Sequence, residues 1–252
     1  MKDQPMSLPT PSPEAIAALA PTGTLRAAIN LSNFLLVTGK SEAGDPQGVS
    51  PDMAQALADQ LGVGLELKKY KTPAEIADSG DAGAWDVGNI GAEPARAKSI
   101  RFTAAYCEIE CTYLVPAGSP ITTVEEADQP GMRIASAHRA AYDVWLEANL
   151  KHAERVNGTG LAGALELFIE QKCDALAGLR PALIKDVDKV PGATILDGRF
   201  TAVQQAMGTP RERADVGIEY LSDFVEAAKS TGLVTELIAK HSVVGLSVAG
   251  PA

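Results

Sequence analysis

The sequence of 252 residues contains no run of the roughly 20 apolar residues that a membrane-spanning helix needs. Aromatic residues are scarce at 5%, and the chain is not basic, because its formal net charge is -10. We therefore expect neither a nucleic acid nor an anionic membrane surface as a partner, since both require a basic surface. A CxxC pair, a nucleophile triad and a glycine-rich phosphate loop are also missing, so the sequence predicts no metal and no cofactor.

Cysteine is rare as well, with only Cys107, Cys111 and Cys173. Cys107 and Cys111 lie in a segment with an extended pattern, in which residues four apart are separated by about 13 Å. A disulfide needs Cα atoms about 4.4–6.8 Å apart. We therefore expect three buried free thiols.

Hydrophobic residues make up 46% of the chain, and their spacing alternates between the periods of strands and helices. Ser12 and Ser50 are predicted to cap helices, and Gly62 to end the second of these. The predicted helices are 12–20, 50–62, 72–80, 123–131, 140–150, 163–172 and two within 216–241. The predicted strands are 24–32, 63–70, 85–91, 107–118, 132–137, 173–179 and one within 204–215. This alternation is typical of an α/β fold.

The order of these elements predicts two lobes. Residues 1–22 form an N-terminal tail and helix, and 23–112 the first part of lobe 1. Residues 113–203 form lobe 2, and 204–252 return to lobe 1 with a strand and the C-terminal helices. Two long extended segments, near 110–117 and 201–207, are predicted to cross between the lobes.

Several stretches resemble the bacterial extracellular solute-binding proteins of family 3. "GTLRAAINLS" is similar to the opening strand of the family, and "GVSPDMAQALADQLG" to its first helix, with Gly48 and Asp52 in place. "WDVGNIGAEPARAKSIRFTAAY" resembles a third motif, matched at Asp86, Gly91, Arg96, Phe102 and Tyr106. The resemblance runs from about residue 23 to 241. It implies a two-lobe periplasmic-binding-protein type II fold with two crossover hinge strands, closing on a small ligand.

The resemblance also implies a ligand site in a cleft between the lobes. An arginine at the position of Arg96 holds a ligand carboxylate in the family, through two parallel hydrogen bonds. Backbone N–H groups near Gly91 would add donors. The remaining candidate contacts are Asn30, Asn33, Phe34, Tyr70 and Asn89 in lobe 1 and His138, Arg139, Tyr142 and Arg180 in lobe 2. Some of these have alternatives: asparagines often cap turns, Phe34 would also suit the core, and His138 and Arg139 would suit the surface.

Three departures from the family pattern bear on the ligand. Glu93 replaces a usual threonine, and Ala140 and Ala141 replace Ser or Thr at the first helix of lobe 2. Leu179 and Arg180 stand where the family has the acidic residue that binds an α-ammonium group. An α-amino acid would face Arg180 with an unpaired cation, so we expect a dicarboxylate or keto acid instead.

The sequence thus predicts a monomeric, non-catalytic binding protein that delivers a small anionic ligand to an ABC permease. We expect a periplasmic location, with a cytoplasmic one as the alternative because residues 1–23 lack an export-signal pattern. Two other functions remain open on the same fold. One is an enzyme like the cyclohexadienyl dehydratases, with Glu93 and His138 as candidate acids. The other is a cytoplasmic small-molecule sensor.

Overall fold

The computed structural model describes residues 7–80 and 82–252. In that part of the chain eight α-helices alternate with twelve strands. The helices are α1 Pro13–Leu19, α2 Val49–Leu61, α3 Pro73–Ser79, α4 Ala141–Asn149, α5 Gly160–Glu170, α6 Arg180–Asp186, α7 Asp215–Ser230 and α8 Leu233–Lys240. The strands are β1 Thr24–Asn30, β2 Gly39–Lys40, β3 Pro46–Gln47, β4 Gly64–Tyr70, β5 Val87–Gly91, β6 Ile100–Val115, β7 Arg133–Ala137, β8 Glu154–Gly158, β9 Ala175–Leu179, β10 Thr194–Ile195, β11 Thr201–Pro210 and β12 Leu246–Val248.

The chain divides into two compact units. Unit 1 contains the described residues up to Glu108 together with Gln204–Ala252, and unit 2 is Ile109–Val203. The long strands β6 and β11 each contribute residues to both units. Because these two strands pair with each other, the hydrogen-bonded order β4-β1-β5-β11-β6-β9-β7-β8 has no break in it.

Unit 1 is built on a mixed sheet. Strands β4 and β5 flank β1 in parallel, and β11 runs antiparallel to β5. Trp85 lies in the core, fully buried, and its indole N–H donates to the Ile76 carbonyl at 3.0 Å. The parallel strands place their C-terminal ends, and the loops that follow them, at the same edge of the sheet. That edge carries the lobe 1 candidates on β1 and β5.

Unit 2 has its own sheet and core. Strand β9 runs antiparallel to β6, and β7 lies between β9 and β8 in parallel. Helices α4 and α5 pack their apolar faces on this sheet, with Tyr142, Leu146 and Phe168 among the buried side chains. Unit 2 therefore buries a core of its own.

Several predicted helix boundaries are confirmed because their signals are local. Ser12 caps α1 by accepting from the Ala15 N–H at 3.1 Å, and Thr72 caps α3 in the same way. Gly62 ends α2 in the left-handed conformation, with φ of 70°. The predicted cap at Ser50 is wrong: α2 begins at Val49 after Gly48, and Ser50 is buried inside the helix.

Other elements differ from the prediction. The predicted helix 123–131 is only a short 3-10 turn, Glu125–Ala127. The Glu126 carboxylate of this turn accepts from the N–H groups of the preceding residues Thr122 and Thr123. Strand β8 and helix α6 were not predicted. The three cysteines are buried and unpaired, as expected.

Candidate functional site

The Arg96 turn lies directly after strand β5 in unit 1. Arg96 begins a 3-10 turn, and its side chain is 17% exposed. Its Nη1 donates to the Gly91 carbonyl at 2.8 Å, and its Nη2 lies 3.3 Å from Glu93 Oε1. These two contacts hold the guanidinium over the end of the strand while leaving N–H groups of the fork for another acceptor.

Gly91 allows this arrangement because it has no side chain. A Cβ built at Gly91 would lie 3.2 Å from Arg96 Nη1 and 3.5 Å from Gln205 Nε2. Strand β11 brings Gln205 to this place, because Gln205 is the register partner of Gly91. Gln205 is buried. Sequence reasoning places it in the predicted crossover segment 201–207 but has no signal for a role in the site, because it stands more than a hundred residues after Arg96.

Asn33 connects the loop after β1 to the same place. Its Nδ2 donates to Gln205 Oε1 at 3.3 Å, while its Oδ1 accepts from the N–H groups of Leu35 and Leu36. Asn30 instead accepts from the backbone and hydroxyl of Ser32, so it caps the turn at the end of β1. The structure therefore brings Asn33, Gly91, Arg96 and Gln205 together and gives Asn30 a turn-capping role.

The other three lobe 1 candidates differ in exposure. Asn89 is 1% exposed and its Nδ2 donates to the Ser50 carbonyl at 3.1 Å, so this side chain lies inside unit 1 and we do not propose it as a ligand contact. Tyr70 packs partly against the core that contains Trp85. Phe34 is 38% exposed.

The lobe 2 candidates around α4 have mixed environments. His138 follows β7, and its Nδ1 lies 3.3 Å from Asn157 Nδ2. Arg139 has a positive φ of 61°, and its backbone N–H donates to Asp143 Oδ2 at 2.8 Å. Tyr142 is 2% exposed, and burial raises the pKa of its hydroxyl. Since Tyr142 belongs to the core of unit 2, we do not propose it as a ligand contact.

Arg180 is not the unpaired cation that the sequence indicates. Its Nε donates to Glu110 Oε2 at 2.8 Å, and its Nη2 donates to the carbonyls of Leu196 and Gly198. The pairing arises because β6 and β9 place Cys111 opposite Leu179, which brings Glu110 beside Arg180. The expectation that an α-amino acid would meet an uncompensated positive charge at Arg180 is therefore wrong.

The cysteines near the motif carry no reactive thiol. Burial raises the pKa of the Cys107 thiol, and burial raises the pKa of Cys111 to about 12. A nucleophilic thiol needs a lowered pKa. Among the described residues, no group of three or more His, Cys, Asp or Glu side chains is placed to hold a metal ion.

Unit 2 also contains a pocket of about 320 Å³. Tyr113 and Phe200 stack beside it with ring centroids 4.5 Å apart, and Trp145 packs on Phe200. None of the candidate residues named from the sequence lines this pocket.

In the part of the chain that the structure describes, no helix combines the length and apolarity that a membrane span requires.

Comparisons with known proteins agree with this architecture. The sequence model of the bacterial extracellular solute-binding proteins, family 3, matches residues 33–242. No curated protein matches the chain in sequence. A putative binding component of an ABC transporter from Wolinella succinogenes, solved with lysine, has a TM-score of 0.65 at 17% identity, over 87% of this chain and 95% of that one.

Two further solved structures are similar. An amino acid ABC transporter substrate-binding protein from Streptococcus pneumoniae, bound to L-arginine, has a TM-score of 0.61 at 20% identity, over 90% of this chain and 98% of that one. An ancestral cyclohexadienyl dehydratase has a TM-score of 0.56 at 19% identity, over 89% of this chain and 95% of that one. At these identities the similarity shows the fold alone, which is the two-lobe periplasmic-binding-protein fold.

Proposed function

The chain belongs to the bacterial extracellular solute-binding proteins of family 3, and on that premise we propose that it captures a small carboxylate-bearing solute in a cleft between its lobes. In this proposal the bound solute is presented to an ABC-type permease, and the protein acts in the periplasm as a monomer. The lobes are 23–112 with 204–252 and 113–203. The crossover strands β6 and β11 act as the hinge.

The observation that carries the proposal is the Arg96 turn. Gly91 and Glu93 hold the guanidinium in place before any ligand arrives, so little side-chain entropy is lost on binding. A planar guanidinium with N–H groups to spare matches the two oxygens of a carboxylate and stays charged at any relevant pH.

The pairing of Arg180 widens the range of ligands that we propose. With Glu110 in contact, Arg180 offers no free charge that would repel an ammonium group. Two of the similar structures hold lysine and L-arginine. We therefore propose an amino acid or an organic acid, with one carboxylate at Arg96 as the shared requirement.

A dehydratase on this fold is the second candidate, and the similarity to an ancestral cyclohexadienyl dehydratase is what favours it. Its two candidate acids already have partners, since Glu93 lies 3.3 Å from Arg96 and His138 lies 3.3 Å from Asn157. We propose binding without catalysis. Mass spectrometry of a bound acid after long incubation distinguishes the two: the acid is recovered unchanged from a binding protein and converted by an enzyme.

The proposal is tested by a thermal-shift screen with L-lysine, L-arginine, succinate and 2-oxoglutarate. Cadaverine and agmatine, which are decarboxylated lysine and arginine, serve as matched controls. At 100 times its dissociation constant, a binder adds about 2.7 kcal/mol of stability. We expect at least one acid to stabilise the protein and the decarboxylated amines to have no effect. Stabilisation by cadaverine or agmatine equal to that by the parent amino acid would exclude a carboxylate clamp.

A further inference from the structure

The orientation of the Asn33 side-chain amide follows from its backbone contacts. Asn33 Oδ1 accepts from Leu35 N at 3.2 Å and from Leu36 N at 3.4 Å. Only the amide oxygen can accept these two hydrogen bonds, since the amide nitrogen is a donor. Asn33 Nδ2 therefore points away from this turn, toward Gln205.

The orientation of Gln205 follows in turn. Asn33 Nδ2 is a donor and lies 3.3 Å from Gln205, so Gln205 must present its Oε1 there. Its Nε2 is then directed to the other side, where it lies 3.5 Å from the Cβ position of Gly91. Arg96 Nη1 lies 3.2 Å from that same position. Two groups that can only donate hydrogen bonds thus converge on one glycine.

The Gln205 amide donor has no acceptor among the residues that the structure describes. Gln205 is 3% exposed, and its Nε2 makes no hydrogen bond with any residue that the structure describes. Although the residue is largely buried, its Nε2 is not among the fully enclosed side-chain atoms without a partner, so this donor is accessible to an acceptor from outside the protein. An acceptor from outside the protein, placed beside Arg96, would satisfy it.

We propose that Gln205 Nε2 and the Arg96 guanidinium together bind the ligand carboxylate, and that Gln205 selects a carboxylate over a carboxamide. This inference rests on the proposed function. A carboxylate presents acceptors to both donors. A carboxamide can offer only one oxygen, and its NH2 group would face a second donor. Asn33 is a positioning residue in this arrangement, because it determines which end of the Gln205 amide faces Arg96.

The test uses three pairs of probes: L-arginine with L-argininamide, L-lysine with L-lysinamide, and succinate with succinamate. Calorimetry gives the affinity of each for the wild type and for Gln205→Leu, Gln205→Glu and Asn33→Asp. Gln204→Leu is the matched control, because Gln204 is the next residue on β11 and its side chain donates to Glu108 instead.

We expect Gln205→Leu to weaken the acid of a binding pair by about 10-fold to 100-fold, the usual effect of losing a hydrogen bond to a charged group. Asn33→Asp keeps both acceptor contacts to the backbone but replaces the donor to Gln205, so the Gln205 amide should flip. Asn33→Asp should then weaken the binding of the acid at least as much as Gln205→Leu does. The double variant should bind the acid no more weakly than Asn33→Asp alone. Gln205→Glu should reverse the preference within the pair, because a carboxylate accepts from the carboxamide NH2.

The outcomes separate this inference from the proposed function. If the wild type binds none of the four acids of the thermal-shift screen, the proposed function fails and the inference fails with it. If an acid binds and Arg96→Ala removes binding while Gln205→Leu and Asn33→Asp match the Gln204→Leu control, the proposed function stands and the role of Gln205 is refuted. If Gln205→Glu loses affinity equally for the acid and for the amide of a pair, the role of Gln205 is also refuted, because equal losses would indicate only structural damage.

Discussion

Asp86 holds three parts of unit 1 together, and its removal should be costly. The carboxylate is fully buried. Its Oδ2 accepts from the backbone N–H of Arg26 at 3.0 Å and from Arg26 Nε at 2.9 Å, and its Oδ1 accepts from Arg26 Nη2 at 2.7 Å. Arg213, in the turn before α7, also donates to Oδ1. The start of β1, the start of β5 and the approach to α7 therefore share one anion.

The expected loss for Asp86→Ala follows from these contacts. Removing one partner of a buried ion pair costs about 3–5 kcal/mol, because the other charge is left unpaired. Arg26 and Arg213 are 21% and 20% exposed, so they regain part of their hydration. We therefore expect Asp86→Ala to lower the free energy of unfolding by about 3 kcal/mol, the lower end of this range. In a protein of this size that loss corresponds to a Tm lower by about 6–12 °C.

The two tryptophans make the assay specific to one unit. Trp85 is buried in unit 1 and Trp145 lies in unit 2, so Trp145→Phe leaves Trp85 as the only indole. Urea unfolding in this background reports on unit 1. Asp215→Ala is the control, because Asp215 pairs with Arg101 in the same unit but is 80% exposed. Equal losses for the two variants, or a loss under about 1 kcal/mol for Asp86→Ala, would refute the reasoning.

Three further predictions concern the fold. A Cβ at Gly48, where φ is 148°, would lie 2.3 Å from the Leu36 carbonyl oxygen, so Gly48→Ala should lower the free energy of unfolding in urea by more than about 3 kcal/mol. An added Cβ at Gly62 meets nothing within 4 Å, so Gly62→Ala should lower it by only about 1 kcal/mol. Thiol titration of the denatured, unreduced protein should count all three cysteines; a count of one would show a disulfide. Burial favours a higher pKa for Asp128, but hydrogen bonds from the N–H groups of 151–153 lower it overall below 3.8. The contribution of the Asp128 carboxylate to folding stability is therefore complete above its ordinary pKa of 3.8 and is lost as the pH falls through the lower pKa of the folded state. Urea unfolding should show that Asp128→Asn destabilises the protein at neutral pH and does not destabilise it in strong acid.

The elements that could be predicted from the sequence depend on neighbouring residues. Ser12 and Thr72 cap helices within three residues of themselves, and Gly62 ends α2 by its own conformation. The predicted helix 123–131 fails because the Glu126 carboxylate can close a turn without a helix continuing from it. Local patterns thus identify helix ends better than they distinguish a turn from a helix.

The candidate site shows the same limit over longer distances. Arg96 and Gly91 could be found because they lie five residues apart in one motif. Gln205 and Glu110 could not, because their contacts depend on strand register: β11 against β5 for Gln205, and β6 against β9 for Glu110. The prediction of an unpaired charge at Arg180 is wrong for this reason, since its partner Glu110 stands 70 residues earlier in the chain.

The measurement that tests the central claim most directly is the affinity of Arg96→Ala for whichever acid stabilises the wild type. Removing the guanidinium leaves a carboxylate desolvated without its charge partner, so binding should weaken by about 2–5 kcal/mol, or roughly 30-fold to 5,000-fold. Arg101→Ala, which removes a cation of the same unit that pairs with Asp215, should leave the affinity unchanged. Calorimetry that finds the same affinity in Arg96→Ala as in the wild type would contradict the assignment of Arg96 as the carboxylate clamp.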